Sequence, residues 1–328
     1  MSQKKMQKRM RNLALRRTLY RLMLAAPALP MVGCNVEREC PRPTETWQNV
    51  RLEDGSIPPP GTSCSDCCTN LCLHEFSMYP ATSCSLTTPE GGTSATLVCN
   101  YSRNCSNDGR RPEGLSDPDL QPATGCPLGI LYAQMGHLEA ASVPAFLRLA
   151  EELAAHHAPD VLMQSARRAA GDEVRHARAV GALARAHGAA VPDVNIAPFM
   201  SRSLEAMVVE NAVEGCVRET FGAMVTGWQA RTAGDEEVRQ ALAPIFADEI
   251  RHAELAWAVD AWAALRLSVR DRAHVREARH QALFELERQM AAEEPLPALV
   301  HQAGVPSRVA AQHLLAGLSE LVTRTERA

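Results

Sequence analysis

The chain has 328 residues, 46% of them hydrophobic but only 4% aromatic, and a net charge of −4. That length accommodates about two domains and the apolar share is ample for a core. The acidic balance argues against a nucleic-acid partner, the more so because the eight Lys/Arg of residues 1–33 face no acidic residue there, so the remaining chain stands at −12.

Residues 1–33 read as a targeting segment. The basic stretch is followed by the apolar run Leu22–Val32, which contains Pro27 and Pro30 and is too short to span a bilayer. Arg16-Arg17-Thr18-Leu19-Tyr20-Arg21 resembles the twin-arginine export signal, which carries chains across a membrane already folded. Met31-Val32-Gly33-Cys34 resembles a bacterial lipobox, which would make Cys34 the lipidated first residue of the mature chain. The competing reading is a basic arm that binds nucleic acid or a membrane surface. It leaves unexplained why charge, apolar run, small residue and Cys come in that order. The expected location is the cell envelope of a bacterium, with the chain lipid-anchored through Cys34 to the periplasmic or outer face of a membrane.

Residues 34–126 form a Cys-rich zone of Pro, Ser, Thr, Gly and Asn without helical periodicity. Cys40, Cys64, Cys67, Cys68, Cys72, Cys84, Cys99, Cys105 and Cys126 fall there. Outside the cytoplasm such density predicts a small disulfide-stabilised, loop- and β-rich domain. Nine is an odd number, so one thiol is unpaired or reaches elsewhere, and Cys216 is the other candidate. Thr96–Tyr101 reads as a strand, and 109–122 as a linker.

Residues 127–268 change character. Ala- and Leu-rich helical patterns predict helices over about 129–157, 160–187, 202–231 and 236–266, with Asp160 and Asp235 as N-caps. The first and second pairs are joined by short turns, so each is an antiparallel hairpin. Between them lies 188–201, with Pro192 and Pro198. A helix of about 25 residues is roughly 37 Å long, and 14 extended residues reach about 45 Å, enough for one long crossover. Residues 269–328 add two amphipathic helices that cover a bundle face or a partner.

The two hairpins repeat a motif. Asp172-Glu173-Val174-Arg175-His176-Ala177 returns as Asp248-Glu249-Ile250-Arg251-His252-Ala253. Glu and His at i and i+3 share one helix face and can grip a metal ion together. Upstream, Glu139 is followed at +7 by Phe146 and Glu214 at +7 by Phe221; they precede Glu173 and Glu249 by 34 and 35 residues. The expected ligands are therefore Glu139, Glu173 and His176 for one ion and Glu214, Glu249 and His252 for the other, with one Glu from each Glu-x-x-His in a position to bridge them. Glu205, Glu210 and Glu219 read as solvent-facing or supporting groups. A single Glu-x-x-His is usually a solvated helix face; two matched copies make that reading much harder.

This constellation resembles the ferritin-like superfamily of di-iron and di-manganese carboxylate proteins, over roughly residues 128–266. The resemblance implies an all-α, ferritin-like four-helix bundle, here with two extra C-terminal helices and a preceding Cys-rich domain. It implies two iron ions, or manganese, and dioxygen as a partner with a small substrate or electron donor. It implies that Asp172 and Asp248 orient the histidines and that Arg175 and Arg251 neutralise buried carboxylates. No catalytic residue beyond the metal ligands is marked. The expected activity is oxidation of a small substrate or of ferrous iron. The alternative is a non-catalytic envelope lipoprotein in which the bundle is a scaffold and the Cys-rich domain binds a partner.

Overall fold

The computed structural model describes residues 16–17, 44–50, 83–88, 95–100, 110–116, 127–292 and 294–327. The apolar run 22–32, the lipobox with Cys34, and Cys40, Cys64, Cys67, Cys68, Cys72, Cys105 and Cys126 lie outside them. Among the described residues no helix is long and apolar enough to cross a membrane.

The chain divides into two compact units, 38–105 and the remainder. In the first, strands β1 (Thr44–Val50), β2 (Ser83–Thr87) and β3 (Ala95–Asn100) form an antiparallel sheet in the order β1-β3-β2. The strand expected near Thr96 is the central one. Its register sets Cys99 directly opposite Cys84.

The second unit is a helical bundle. Helix α1 (Pro127–Ala155) turns through His157, at φ +54°, into α2 (Asp160–Ala186) and packs along it. The cap differs from expectation: Pro159 occupies the N-cap position without a side-chain bond, and Asp160 lies in the first turn, where its charge favours the positive end of the helix. Pro144 sits inside α1 without ending it. The crossover follows. Its Asn195 and Ile196 pair with Ser116 and Leu115, and Ala197 N–H donates to Gly114 O at 2.9 Å. Residues 110–116, expected within a linker, thus lie as a strap on the bundle.

The third rod is α3 (Leu204–Glu210), then a π-helical segment (Asn211–Glu219), then α4 (Thr220–Thr232), without a break. Ser203 caps it through Ala206 N–H. Asp235 caps α5 (Glu236–Ala263) by accepting from Glu237 N–H at 2.8 Å, as its position in the turn predicts. Gly215 permits close approach here, since a Cβ on it would stand 2.7 Å from that of Ala256 on α5.

Apolar faces explain the assembly. Phe146, Leu149, Leu162, Met207, Val259 and Trp262 fill one part of the core, and Tyr132, Val180, Leu242 and Ile245 another. Helices α6 (Val269–Ala292), α7 (Pro297–Gln302) and α8 (Arg308–Arg327) complete the chain. Leu314, Leu318 and Val322 of α8 bury themselves against Val213, Val217 and Phe221. Burying each such leucine stabilises by about 1.5–3 kcal/mol. The C-terminal extension therefore covers a bundle face.

Candidate metal centre

Glu139 of α1, Glu173 and His176 of α2, Glu219 of the π-helical segment, and Glu249 and His252 of α5 converge inside the bundle, each at most 4% exposed. Their ligand atoms form two groups, each spanning less than 4.8 Å: Glu139, Glu173, His176 and Glu249 in one, Glu173, Glu219, Glu249 and His252 in the other. Glu173 and Glu249 belong to both. This is the sharing expected of the two Glu-x-x-His glutamates, with Glu139 at one end and, in place of Glu214, Glu219 at the other.

Both imidazoles turn Nδ1 inward. His176 Nδ1 lies 3.3 Å from Glu139 Oε2, 3.2 Å from Glu249 Oε1 and 3.5 Å from Glu173 Oε2. His252 Nδ1 lies 3.0 Å from Glu173 Oε1 and 3.4 Å from Glu249 Oε1. None of these contacts has hydrogen-bond geometry. The two Nδ1 atoms, Glu139 Oε2, Glu249 Oε1 and both oxygens of Glu173 and Glu219 are buried without a hydrogen-bond partner. Protein interiors rarely tolerate even one such atom, because each desolvated polar group left unpaired costs on the order of 1–3 kcal/mol and a charged one more. Eight pointing at one another are what a metal-binding cage requires.

The outer ring nitrogens are held crosswise. Nε2–H of His176 donates to Asp248 Oδ2 at 3.2 Å, and that of His252 to Asp172 Oδ2 at 3.4 Å. Each aspartate thus fixes the histidine of the other hairpin. Arg175 bonds to Asp172 at 2.6 Å and to Asp248 at 2.9 Å. Arg251 bonds to Asp172 at 2.9 Å and also pairs with Asp248. The two arginines therefore serve the aspartates, not the inner glutamates. The set {Asp, Arg, His} ties α2 to α5 and locks the tautomers that leave both Nδ1 atoms free to bind.

The electrostatics follow from burial against these contacts. Burial, with the charge of Glu173 beside it, pushes Glu139 well above the ordinary carboxylate range; burial does the same to Glu219. Burial acts against Glu173 and Glu249 too, but the two histidines outweigh it and hold both carboxyls low. Burial disfavours charge on His176 and His252, yet the surrounding carboxylates raise both.

Glu214, the expected sixth ligand, is not in the cluster. Its Oε2 accepts from Arg111 N–H at 3.2 Å and its Oε1 lies 3.6 Å from Arg218 Nε. The segment between them is π-helical, so Glu219 lies one wide turn beyond Glu214 on a similar face, and it is Glu219 that stands level with the cluster. Glu214 would match Glu139 only if the rod kept one α-helical register throughout. The available signal was the pair Glu214/Glu219 itself, one π-turn apart in an apolar stretch.

Behind this segment stands a buried polar layer that the sequence did not mark. Arg110 of the strap is 1% exposed, bonds to Asn211 Oδ1 at 3.3 Å, and lies 5.7 Å over the Phe146 ring. Phe146 in turn lies 5.0 Å from the His252 ring. Arg202 grips Glu152 through two bonds of 2.8 Å and Glu210 at 2.7 Å. Tyr132 lies in the apolar core, 5.5 Å from the ring of His187. His274 and His280 pair with Glu205 and Glu326, away from the centre. Cys216 is a free, buried thiol that burial pushes far up its scale, which suits packing and not reactivity.

Comparison with family models, with curated proteins and with solved structures finds no match for this chain.

Proposed function

We propose that the chain is a ferritin-like di-metal carboxylate protein, with iron or manganese as the resident metal, that oxidises a small substrate or ferrous iron at the expense of dioxygen. The observation that carries this reading is the set of eight buried, unpaired ligand atoms from four helical rods. Oxygen and imidazole donors in this number suit iron and manganese better than calcium, which takes oxygen alone, or structural zinc, which is usually four-coordinate. Glu173 and Glu249 would be shared between two ions, with Glu139 and His176 completing one and Glu219 and His252 the other. Two ferrous ions held by these residues would each supply one electron to dioxygen, so that no organic cofactor would be needed. The chain's own part is to keep bulk water away with the surrounding apolar core, and to hold both imidazoles rigid through Asp172 and Asp248.

Burial of every ligand also favours a second reading, in which the metals staple a scaffold and turn nothing over. Oxygen uptake decides between them. Full-length protein loaded anaerobically with ferrous iron should consume oxygen repeatedly when a reductant is supplied. A single uptake that stops after one oxidation of the bound iron would select the scaffold.

The reading of the leader completes the proposal. Export already folded, with metal taken up before transport, and attachment through Cys34 would place this centre at the cell envelope. Conversion of Cys34 to Ser should then leave the protein unlipidated, as mass spectrometry of the membrane fraction would register.

A further inference from the structure

Glu254 has no role in the metal centre. It stands on α5 two residues past His252, and two residues on an α-helix are roughly 200° apart, so it faces away from the cluster. The matching position of the first repeat is Arg178, which is exposed. Glu254 is instead 5% exposed, an unusual setting for a carboxylate. Both its oxygens are taken by one side chain: Arg16 Nε donates to Oε1 at 2.6 Å and Arg16 Nη2 to Oε2 at 2.7 Å. That is the paired, two-bond geometry in which a guanidinium recognises a carboxylate most strongly. Arg16 is the first arginine of the Arg16-Arg17 pair in the basic N-terminal segment, and it falls in the same compact unit as the bundle.

We infer that Glu254 is a receptor for Arg16 and latches the Arg16-Arg17 pair onto the folded bundle. One guanidinium cannot bond to two carboxylates in this way at once. Any export receptor that reads Arg16 and Arg17 therefore competes with Glu254, and the segment is withheld until the latch opens. This consequence rests on the reading of residues 1–33 as an export leader; the latch itself does not. When the segment is removed, Glu254 loses this counter-ion inside the protein, which disfavours the processed chain relative to the precursor.

Limited proteolysis tests the latch directly, because cleavage of a docked segment needs local opening. The substrate is the full chain, folded, with trypsin cleavage after Arg17 followed by mass spectrometry. The latch predicts slow cleavage in the wild type and cleavage faster by about tenfold or more in Glu254→Gln, the size expected for losing a partly buried charge pair. Metal content of that variant should equal the wild type's, which separates this proposal from the metal reading. Arg16→Gln leaves the bundle sequence intact and should accelerate cleavage after Arg17 equally, and the double exchange Arg16→Glu with Glu254→Arg should restore protection. Equal cleavage rates in wild type and Arg16→Gln would overturn the latch.

Discussion

The two hairpins start from one motif and end differently. In the first, Glu139 projects from an unbroken α-helix, α1. In the second, the corresponding rod widens into a π-helical segment, and the inward glutamate is Glu219 instead of Glu214. The Glu-x-x-His helices α2 and α5 remain alike, down to the crosswise bonds from Asp172 and Asp248. The duplicated helices thus keep the shared middle of the centre symmetric, while local register on the partner helices is free to drift. A repeat in sequence therefore finds the clustered residues where the helix is regular, and misses by a turn where it is not.

The comparison can be broken most forcefully at its shared centre. Glu173→Ala removes an oxygen donor common to both groups, so it should abolish binding of both ions and not of one; metal analysis of the folded variant checks this. Retention of one full equivalent would show that the halves are independent. The next largest effect belongs to a face that only the second hairpin has. Leu318→Ala opens a cavity between α8 and the π-helical rod and should cost about 2–5 kcal/mol, read as a lower midpoint in urea denaturation. A change below 0.5 kcal/mol would mean that α8 is not part of the folded core. The smallest effect tests the symmetry itself. Asp172→Asn and Asp248→Asn should each weaken metal binding by about 10–100-fold, and by similar factors, since each holds one histidine of the opposite hairpin. Competition with a chelator would measure both; widely unequal losses would contradict the crosswise arrangement.

Much of this was legible in the chain. The four rods, the Gly234–Asp235 turn and the long crossover follow from apolar periodicity and punctuation, and five of the six clustered residues from the duplicated hexamer and Glu139. Three features were not. The π-helical segment packs Gly215 against Ala256 with Arg110 beside it, contacts distant in sequence that no local pattern announces. The strap 110–116 has the Gly, Pro and charge content of a linker, yet it is pinned by Leu115–Ile196 pairing and by Ser142 donating to Arg110 O at 3.0 Å. Asp172 and Asp248 were expected to orient histidines, but nothing local reveals that each reaches across to the other hairpin.

Glu219, inside the bundle on the π-helical segment, would close the proposed two-ion centre with Glu139, Glu173, His176, Glu249 and His252. The most direct measurement is metal stoichiometry, after anaerobic ferrous loading and gel filtration, for wild type, Glu219→Ala and Glu214→Ala. The account predicts about two ions per chain for wild type and Glu214→Ala, and about one for Glu219→Ala. Loss of an ion from Glu214→Ala with full retention in Glu219→Ala would contradict it and return the sixth ligand to the position that sequence spacing alone suggests.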